Sequence, residues 1–227
     1  MFAPTFEDPR RLYFFFDYIS HNAYLAWQRV PAIAKKHGLV LEPVPVLFAG
    51  MLSHYKQIGP AEIPAKSRWM LWNVLRKARE LGVPMAPPHS HPFNPLIPLR
   101  VSCADMSDAE RVKLVDRLYR ATWAEGRAVS TAEVVAECAK ECGLDPAKLL
   151  AAAQTDAVKA RLHQNAEEGL KAGVFGVPTM LVKNELFWGF DDLGYLEMFL
   201  EGRDPLPDRS GLKAWLEIRP SAERRKP

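Results

Sequence analysis

The chain has 227 residues, is 48% hydrophobic and 25% charged, and carries 30 Lys+Arg against 27 Asp+Glu for a formal net charge of +3. That is ordinary soluble composition with enough chain for one large core, and the small basic excess lacks the Lys/Arg stripe with interleaved aromatics of a nucleic-acid binder. No apolar run reaches a membrane span, and Glu7, Asp8, Arg10 and Arg11 interrupt the N-terminus before any signal-peptide core, so a cytoplasmic protein with neither nucleic-acid nor membrane partner is expected.

Residues 1–10 read as a loosely ordered lead-in. Leu12–Phe16 is a run of large apolar residues, a buried strand, and Asp17 and Tyr18 end it. Beyond Ser20 the apolar residues Ala23, Leu25, Ala26, Trp27, Val30, Ile33 and Ala34 recur at three-to-four spacing, which predicts a helix over Asn22–His37 stopped by Gly38. Leu39–Phe48 predicts a second strand, and Pro43 and Pro45 confine it to an edge, because proline has no N–H for a ladder. Gly50–Pro64 reads as turn.

A helix is predicted from about Ala65 to Leu81, ended by Gly82 with Pro84 beyond, with Trp69, Trp72, Leu75 and Ala78 on one apolar face. Pro84–Pro98 contains six prolines, with His89 and His91, in a rigid loop. Leu99–Leu170 is almost entirely helical in pattern. It includes a helix over Asp108–Glu125, a capping box at Ser130-Thr131-Ala-Glu133, a helix opened by Asp145-Pro146, and another over Asp156–Ala172. Strands return at Thr179–Val182 and Leu186–Trp188 around a Lys183-Asn184-Glu185 turn, and Asp191–Glu201 is the last helix. The order β-α-β, helical block, β-β-α predicts an α/β domain made of residues 12–58 and 173–202. A helical insertion, 59–172, interrupts it, and a polar tail, 203–227, follows; within that tail Arg224-Arg225-Lys226 reads as a solvated terminus.

Ser20 sits where the first strand meets its helix. It can be a plain N-cap, or its hydroxyl can hold a thiolate at the positive end of the helix. His21 follows it; an imidazole there leans towards neutral and can act as a general base, or is merely a solvent-exposed cap residue. Asn94 either orients a substrate or makes an Asx turn. Trp69, Trp72 and Trp123 either wall an aromatic pocket or are core. His54, His89 and His91 lack a third ligand at a known spacing, so no metal is expected. Cys138 and Cys142 face one side of a helix at the limit for a disulfide, there is no Cys-x-x-Cys, and all three cysteines read as small buried residues.

Several stretches, in this order, carry a resemblance: Phe16-Asp-Tyr-Ile-Ser20, Pro64-Ala-Lys66, Pro92-Phe-Asn94-Pro95, Trp123-Ala-Glu-Gly126, Phe175-Gly-Val-Pro-Thr-Met180 and Trp188-Gly-x-Asp191. With them the chain resembles, over roughly residues 12–201, the 2-hydroxychromene-2-carboxylate isomerases and kappa-class glutathione transferases of the DsbA-like thioredoxin fold. The resemblance implies glutathione as cofactor and a small-molecule substrate, and leaves a homodimer open. Ser20 stands for the nucleophilic cysteine of redox relatives and favours the glutathione thiolate. Pro178 is implied to be cis, leaving Val177 to pair its backbone with the cysteinyl unit. Lys66 matches a lysine near the glycyl carboxylate and Asp191 an acidic residue near the γ-glutamyl end.

The chain departs from that pattern at Ser20-His21-Asn22-Ala23, where proline usually follows the serine. It departs again at Asp191-Asp192, where Asp-Arg is usual, and at Asn73, where an aspartate is usual. Two readings of different class follow. One is a glutathione-dependent isomerase of an aromatic or unsaturated carboxylic acid, with a kappa-like transferase or peroxidase as the neighbouring activity. The other is a non-catalytic module that binds a thiol peptide in the same site.

Overall fold

The computed structural model of the chain describes residues 6–206 and 208–222. It begins with β1 (Arg11–Phe16), α1 (His21–Trp27), α2 (Val30–Lys36) and β2 (Val40–Pro45), then α3 (Phe48–His54) and a 3-10 turn at Pro60–Glu62. A helical block follows: α4 (Pro64–Glu80), α5 (Leu96–Cys103), α6 (Asp108–Trp123), α7 (Ala132–Glu141), α8 (Pro146–Ala152) and α9 (Asp156–Lys171). The chain closes with β3 (Thr179–Val182), β4 (Glu185–Trp188), α10 (Leu193–Leu200) and a short α11 (Leu212–Leu216). Between β2 and β3 every regular element among the described residues is helical. The basic residues Arg224-Arg225-Lys226 lie outside the described residues.

The four strands form one mixed sheet in the order β2-β1-β3-β4, with β2 parallel to β1 and the other pairs antiparallel. β1 is central and buried on both faces, which is why it reads as continuous large apolar residues. Leu12, Phe14 and Phe16 join one cluster with Tyr24 and Trp27 of α1, Leu118 and Tyr119 of α6 and Leu196 of α10. Tyr13 and Phe15 point the other way, to Met51 of α3 and to Leu170 and Val174 at the end of α9. β2 is an edge strand, as Pro43 and Pro45 require: the amides of Val40 and Val46 bond to Arg10 and Phe16 of the β1 side, and the two prolines take the opposite parity.

Several elements differ from the sequence expectation, each for a physical reason. The first helix is two helices, since Pro31 cannot donate to the carbonyl four residues back and its ring crowds that carbonyl; the chain turns at Gln28-Arg29. α3 occupies part of the stretch read as turn, and its start is held by a distant group: the Phe48 amide donates to Asp17 Oδ2 at 2.9 Å. The cap of α7 is Thr131, which accepts from Val134 N, while the two-armed capping box lies at Ser107 and Glu110. The β3–β4 hairpin turns on only two residues, Lys183 and Asn184, with φ of 50° and 62°, the mirror-image turn whose twist suits a hairpin. The lead-in is docked from Phe6 on, its ring 5.1 Å from Tyr13 and 4.8 Å from Phe15.

Asp17 is fully buried. Its two oxygens accept from Ile19 N at 3.1 Å and Phe48 N at 2.9 Å. Burial pushes its pKa up from 3.8 to about 7, with the amides of Phe48, Ile19 and Tyr18 pulling the other way. A carboxyl that holds its proton more tightly folded than unfolded stabilises the fold fully below its unfolded value and loses that contribution as pH rises through about 7. Asp17→Asn replaces one acceptor with a donor facing a backbone N–H. Denaturant midpoints at pH 5 and pH 8 are expected to show wild-type stability falling across that window and a flatter dependence in the variant. At pH 5 the variant should be less stable by about 1–3 kcal/mol.

Candidate active site

Ser20 caps α1: with φ −89° and ψ 107°, its Oγ accepts from Ala23 N at 3.2 Å. The same hydroxyl donates to the Val177 carbonyl at 3.5 Å, across 157 residues of sequence. The cap and the long-range contact are therefore both present. The Val177–Pro178 bond is cis, and the Pro178 carbonyl accepts from Gly189 N at 2.9 Å, which brings the β4–α10 turn alongside. Gly176 is needed beside them, because a Cβ there would lie 2.8 Å from Trp188 Nε1.

The turn that carries Ser20 is held by its carbonyls. Asp17 O accepts from Tyr119 Oη at 3.3 Å, Tyr18 O from Trp123 Nε1 at 2.9 Å, and Ile19 O contacts His91 Nε2 at 3.0 Å. Tyr18 itself is buried and donates its hydroxyl to Ser102 Oγ at 2.7 Å, since the Ser102 proton goes to Pro98 O at 2.8 Å. The helical block thus grips three consecutive peptide groups just before the serine.

His21 lies next to Ser20 in a largely closed environment. Burial, then His91, then Lys77 push its pKa down to about 4. The expected lean towards neutrality is there, and burial rather than the helix end is its main cause. Its Nδ1 is buried without a partner, as is Asn22 Oδ1. The His21 and His91 rings stack at 6.0 Å, and each meets the Trp123 ring edge-on at 5.6 Å.

Trp123 is therefore both core and site wall. Trp69 and Trp72 are not core: they are 60% and 58% exposed on α4, whose buried residues are Val74 and Ala78. The face of α4 that packs inward carries the short Val74 and Ala78, so spacing alone does not place the tryptophans. Lys66 is exposed on the first turn of α4. Asn94 is exposed and makes the Asx turn, accepting from Leu96 N at 3.0 Å.

Asp191 pairs with Lys77 Nζ at 2.7 Å, and Lys77 also lies 5.1 Å over the Phe190 ring. Lys77, which sequence reading did not single out, also opposes a charge on His21. Its periodicity, one turn beyond Asn73 on the Lys66 helix, was the available signal. All three cysteines are free and buried, and burial pushes the Cys103 thiol up to about 12 and the Cys138 thiol up to about 11. None of them lies at Ser20.

A family model described as the DSBA-like thioredoxin domain matches residues 11–201. The chain is 28% identical to a 2-hydroxychromene-2-carboxylate isomerase of Sphingobium xenophagum over 82% of this chain and 96% of that protein. It is 26% identical to glutathione S-transferase kappa 2 of Caenorhabditis elegans over 86% and 87% of the two. Among solved structures, a 2-hydroxychromene-2-carboxylate isomerase superposes with a TM-score of 0.79 at 24% identity, covering 84% of this chain and 94% of the other.

Trp123→Phe tests the grip on the turn. It keeps an aromatic ring of smaller size and deletes the donor to a buried carbonyl, and a lost partner of that kind costs about 1–3 kcal/mol, to which the lost volume adds. A denaturation midpoint lowered accordingly is expected; an unchanged one would show that the Tyr18 carbonyl finds another partner.

Proposed function

The chain belongs to the DSBA-like thioredoxin domain family, and on that footing we propose that it is a glutathione-dependent isomerase of an aromatic or unsaturated carboxylic acid. The observation that carries this reading is a serine hydroxyl, not a thiol, against the Val177 carbonyl and the cis-proline. With every cysteine buried elsewhere, the chain has no thiol of its own to offer, so a redox exchange lacks its nucleophile and the sulfur must arrive with a cofactor.

The residues fit such a group. The orphaned His21 Nδ1 and Asn22 Oδ1 lie at the helix start beside Ser20, and the Val177 amide makes no hydrogen bond within the described residues. In this reading Val177 pairs its backbone with the cysteinyl unit, the strand-addition mode of peptide binding. Lys66 faces the glycyl carboxylate, and Asp191, with Lys77 in place of a neighbouring arginine, faces the γ-glutamyl end. When bound, glutathione supplies a thiolate that adds reversibly to a conjugated carbon of the substrate, allowing isomerisation with no redox change. Ser20 donates its proton in a hydrogen bond to that sulfur and favours the anion. His21 presents a neutral imidazole to the same pocket, and Trp123, Trp69 and Asn94 border the substrate side.

The named isomerase and kappa-transferase relatives support an enzyme over a bare thiol-peptide-binding module. A kappa-like transferase or peroxidase would use the same serine, and product analysis separates the three.

Ser20→Ala should lower turnover roughly ten- to a hundredfold, more than it lowers glutathione affinity, because a charge-assisted bond contributes about 1.5–3 kcal/mol. Ser20→Asp keeps an N-cap acceptor, so stability should hold within about 1 kcal/mol, while a fixed carboxylate repels the thiolate and glutathione binding is lost. Full activity in the alanine variant would reduce Ser20 to a cap.

His21→Gln removes an imidazole whose protonation lies near pH 4. The pH–rate profile of the variant should keep its shape above about pH 5.5, with only the maximum lowered. A near-neutral acid limb that disappears in this variant would show that His21 titrates there after all.

A further inference from the structure

Resting on the glutathione reading, we propose that His91 is a positioning residue: its ring N–H fixes the peptide group in front of Ser20 and so aims the hydroxyl at a bound sulfur. The Ile19–Ser20 peptide is held at both ends. Its N–H donates to the Asp17 carbonyl at 3.1 Å, and its carbonyl oxygen lies 3.0 Å from His91 Nε2. A carbonyl oxygen only accepts, so Nε2 is the donor and carries the hydrogen. A planar peptide clamped at its oxygen and its nitrogen cannot swivel. That swivel is the motion that would change φ of Ser20, which stands at −89°. The Ser20 hydroxyl accepts from Ala23 N at 3.2 Å, while its own proton makes only a long contact, 3.5 Å, to the Val177 carbonyl. A bond of that length is weak, and a sulfur can replace it where the hydroxyl already points.

Of the three donors that hold the serine turn, His91 differs from the other two. Tyr119 and Trp123 are buried, and reach the carbonyls of Asp17 and Tyr18 from α6. His91 belongs to the proline-rich loop between α4 and α5, and both its ring and its contact with Ile19 are exposed. The ring is steadied from the side, 6.0 Å from His21 and 5.6 Å from Trp123. With the His91 donor removed, water can satisfy the Ile19 carbonyl, so little stability is lost. Water fixes no direction, so the peptide rocks and the hydroxyl loses its aim. His91 acts through that peptide and takes no proton.

Loss of aim without loss of fold separates this role from a purely structural one. His91→Gln keeps a side-chain N–H of similar reach, and His91→Leu keeps bulk with no donor. Both are made as full chains, in wild type and in Ser20→Ala. The probe is glutathione, with S-methylglutathione as the blank. Thiolate absorbance against pH gives the pKa of the bound thiol, calorimetry gives the affinity for each tripeptide, and denaturant midpoints report the fold.

His91→Leu should raise the pKa of the bound thiol by about one, which is about tenfold less thiolate at a fixed pH below it. Its midpoint and its affinity for S-methylglutathione should stay at the wild-type values. His91→Gln should restore the wild-type thiol pKa. In the Ser20→Ala background neither substitution should move the pKa further, because a residue that acts through Ser20 has nothing left to aim. A His91→Leu chain with the wild-type thiol pKa would overturn the proposal. So would an equal shift in the Ser20→Ala background, a His91→Gln chain that behaves like the leucine one, or a lowered midpoint in His91→Leu. Absence of any glutathione binding by wild type at millimolar concentration would instead remove the glutathione reading, and this proposal with it.

Discussion

The structure depends on one buried carboxyl group. Asp17 stands where the central strand leaves the core, and its two oxygens bind the amides of Ile19 and Phe48. One bond shapes the turn that presents Ser20; the other starts α3 on the far side of β2. Around that carboxyl group, the carbonyls of residues 17–19 are held by Tyr119, Trp123 and His91. An unpaired buried carbonyl is expensive, so the serine turn has its present geometry only when the helical block is packed against it. The block therefore does more than cover the sheet: it completes the hydrogen bonding of the segment that carries the site.

This coupling has a chemical consequence. Ser20 is rigid because its hydroxyl caps α1 and its preceding peptides are pinned, so a hydrogen bond from it is preorganised rather than formed at the cost of ordering a loop. The same packing buries His21 and lowers its proton affinity, which keeps a cation out of the turn. Charged groups lie outside that turn: Lys77 pairs with Asp191, and Lys66 is exposed on α4.

Much of the fold was legible from the chain because its signals are local. Gly38, Gly82 and Gly173 adopt positive φ where the helices were expected to stop, Asp145 caps α8 ahead of Pro146, and Pro43 and Pro45 put β2 on an edge. The break between α1 and α2 was also local, and the weight of Pro31 was underestimated against an unbroken apolar period. The start of α3 was not legible, since its cap comes from Asp17, 31 residues earlier.

In the site, Ser20, Val177 and the cis-proline could be paired in advance only because two short motifs resemble a known pair; spacing in the chain says nothing about a contact across 157 residues. That Trp69 and Trp72 stand exposed was not legible, because helical periodicity reports a face and not what covers it. For the converse reason Lys77 escaped notice and His91 was weighed only as a metal ligand. One looks like a solvated helix lysine and the other like a loop histidine, and each acquires meaning from a partner supplied by another element.

The central claim is that a thiol from outside the chain is held as an anion against Ser20. A crystal structure of the protein soaked with glutathione tests it most directly. The expected result is sulfur within hydrogen-bonding reach of Ser20 Oγ and the cysteinyl backbone paired with Val177. Glutathione bound elsewhere, or with its sulfur turned away from Ser20 towards solvent, would contradict it.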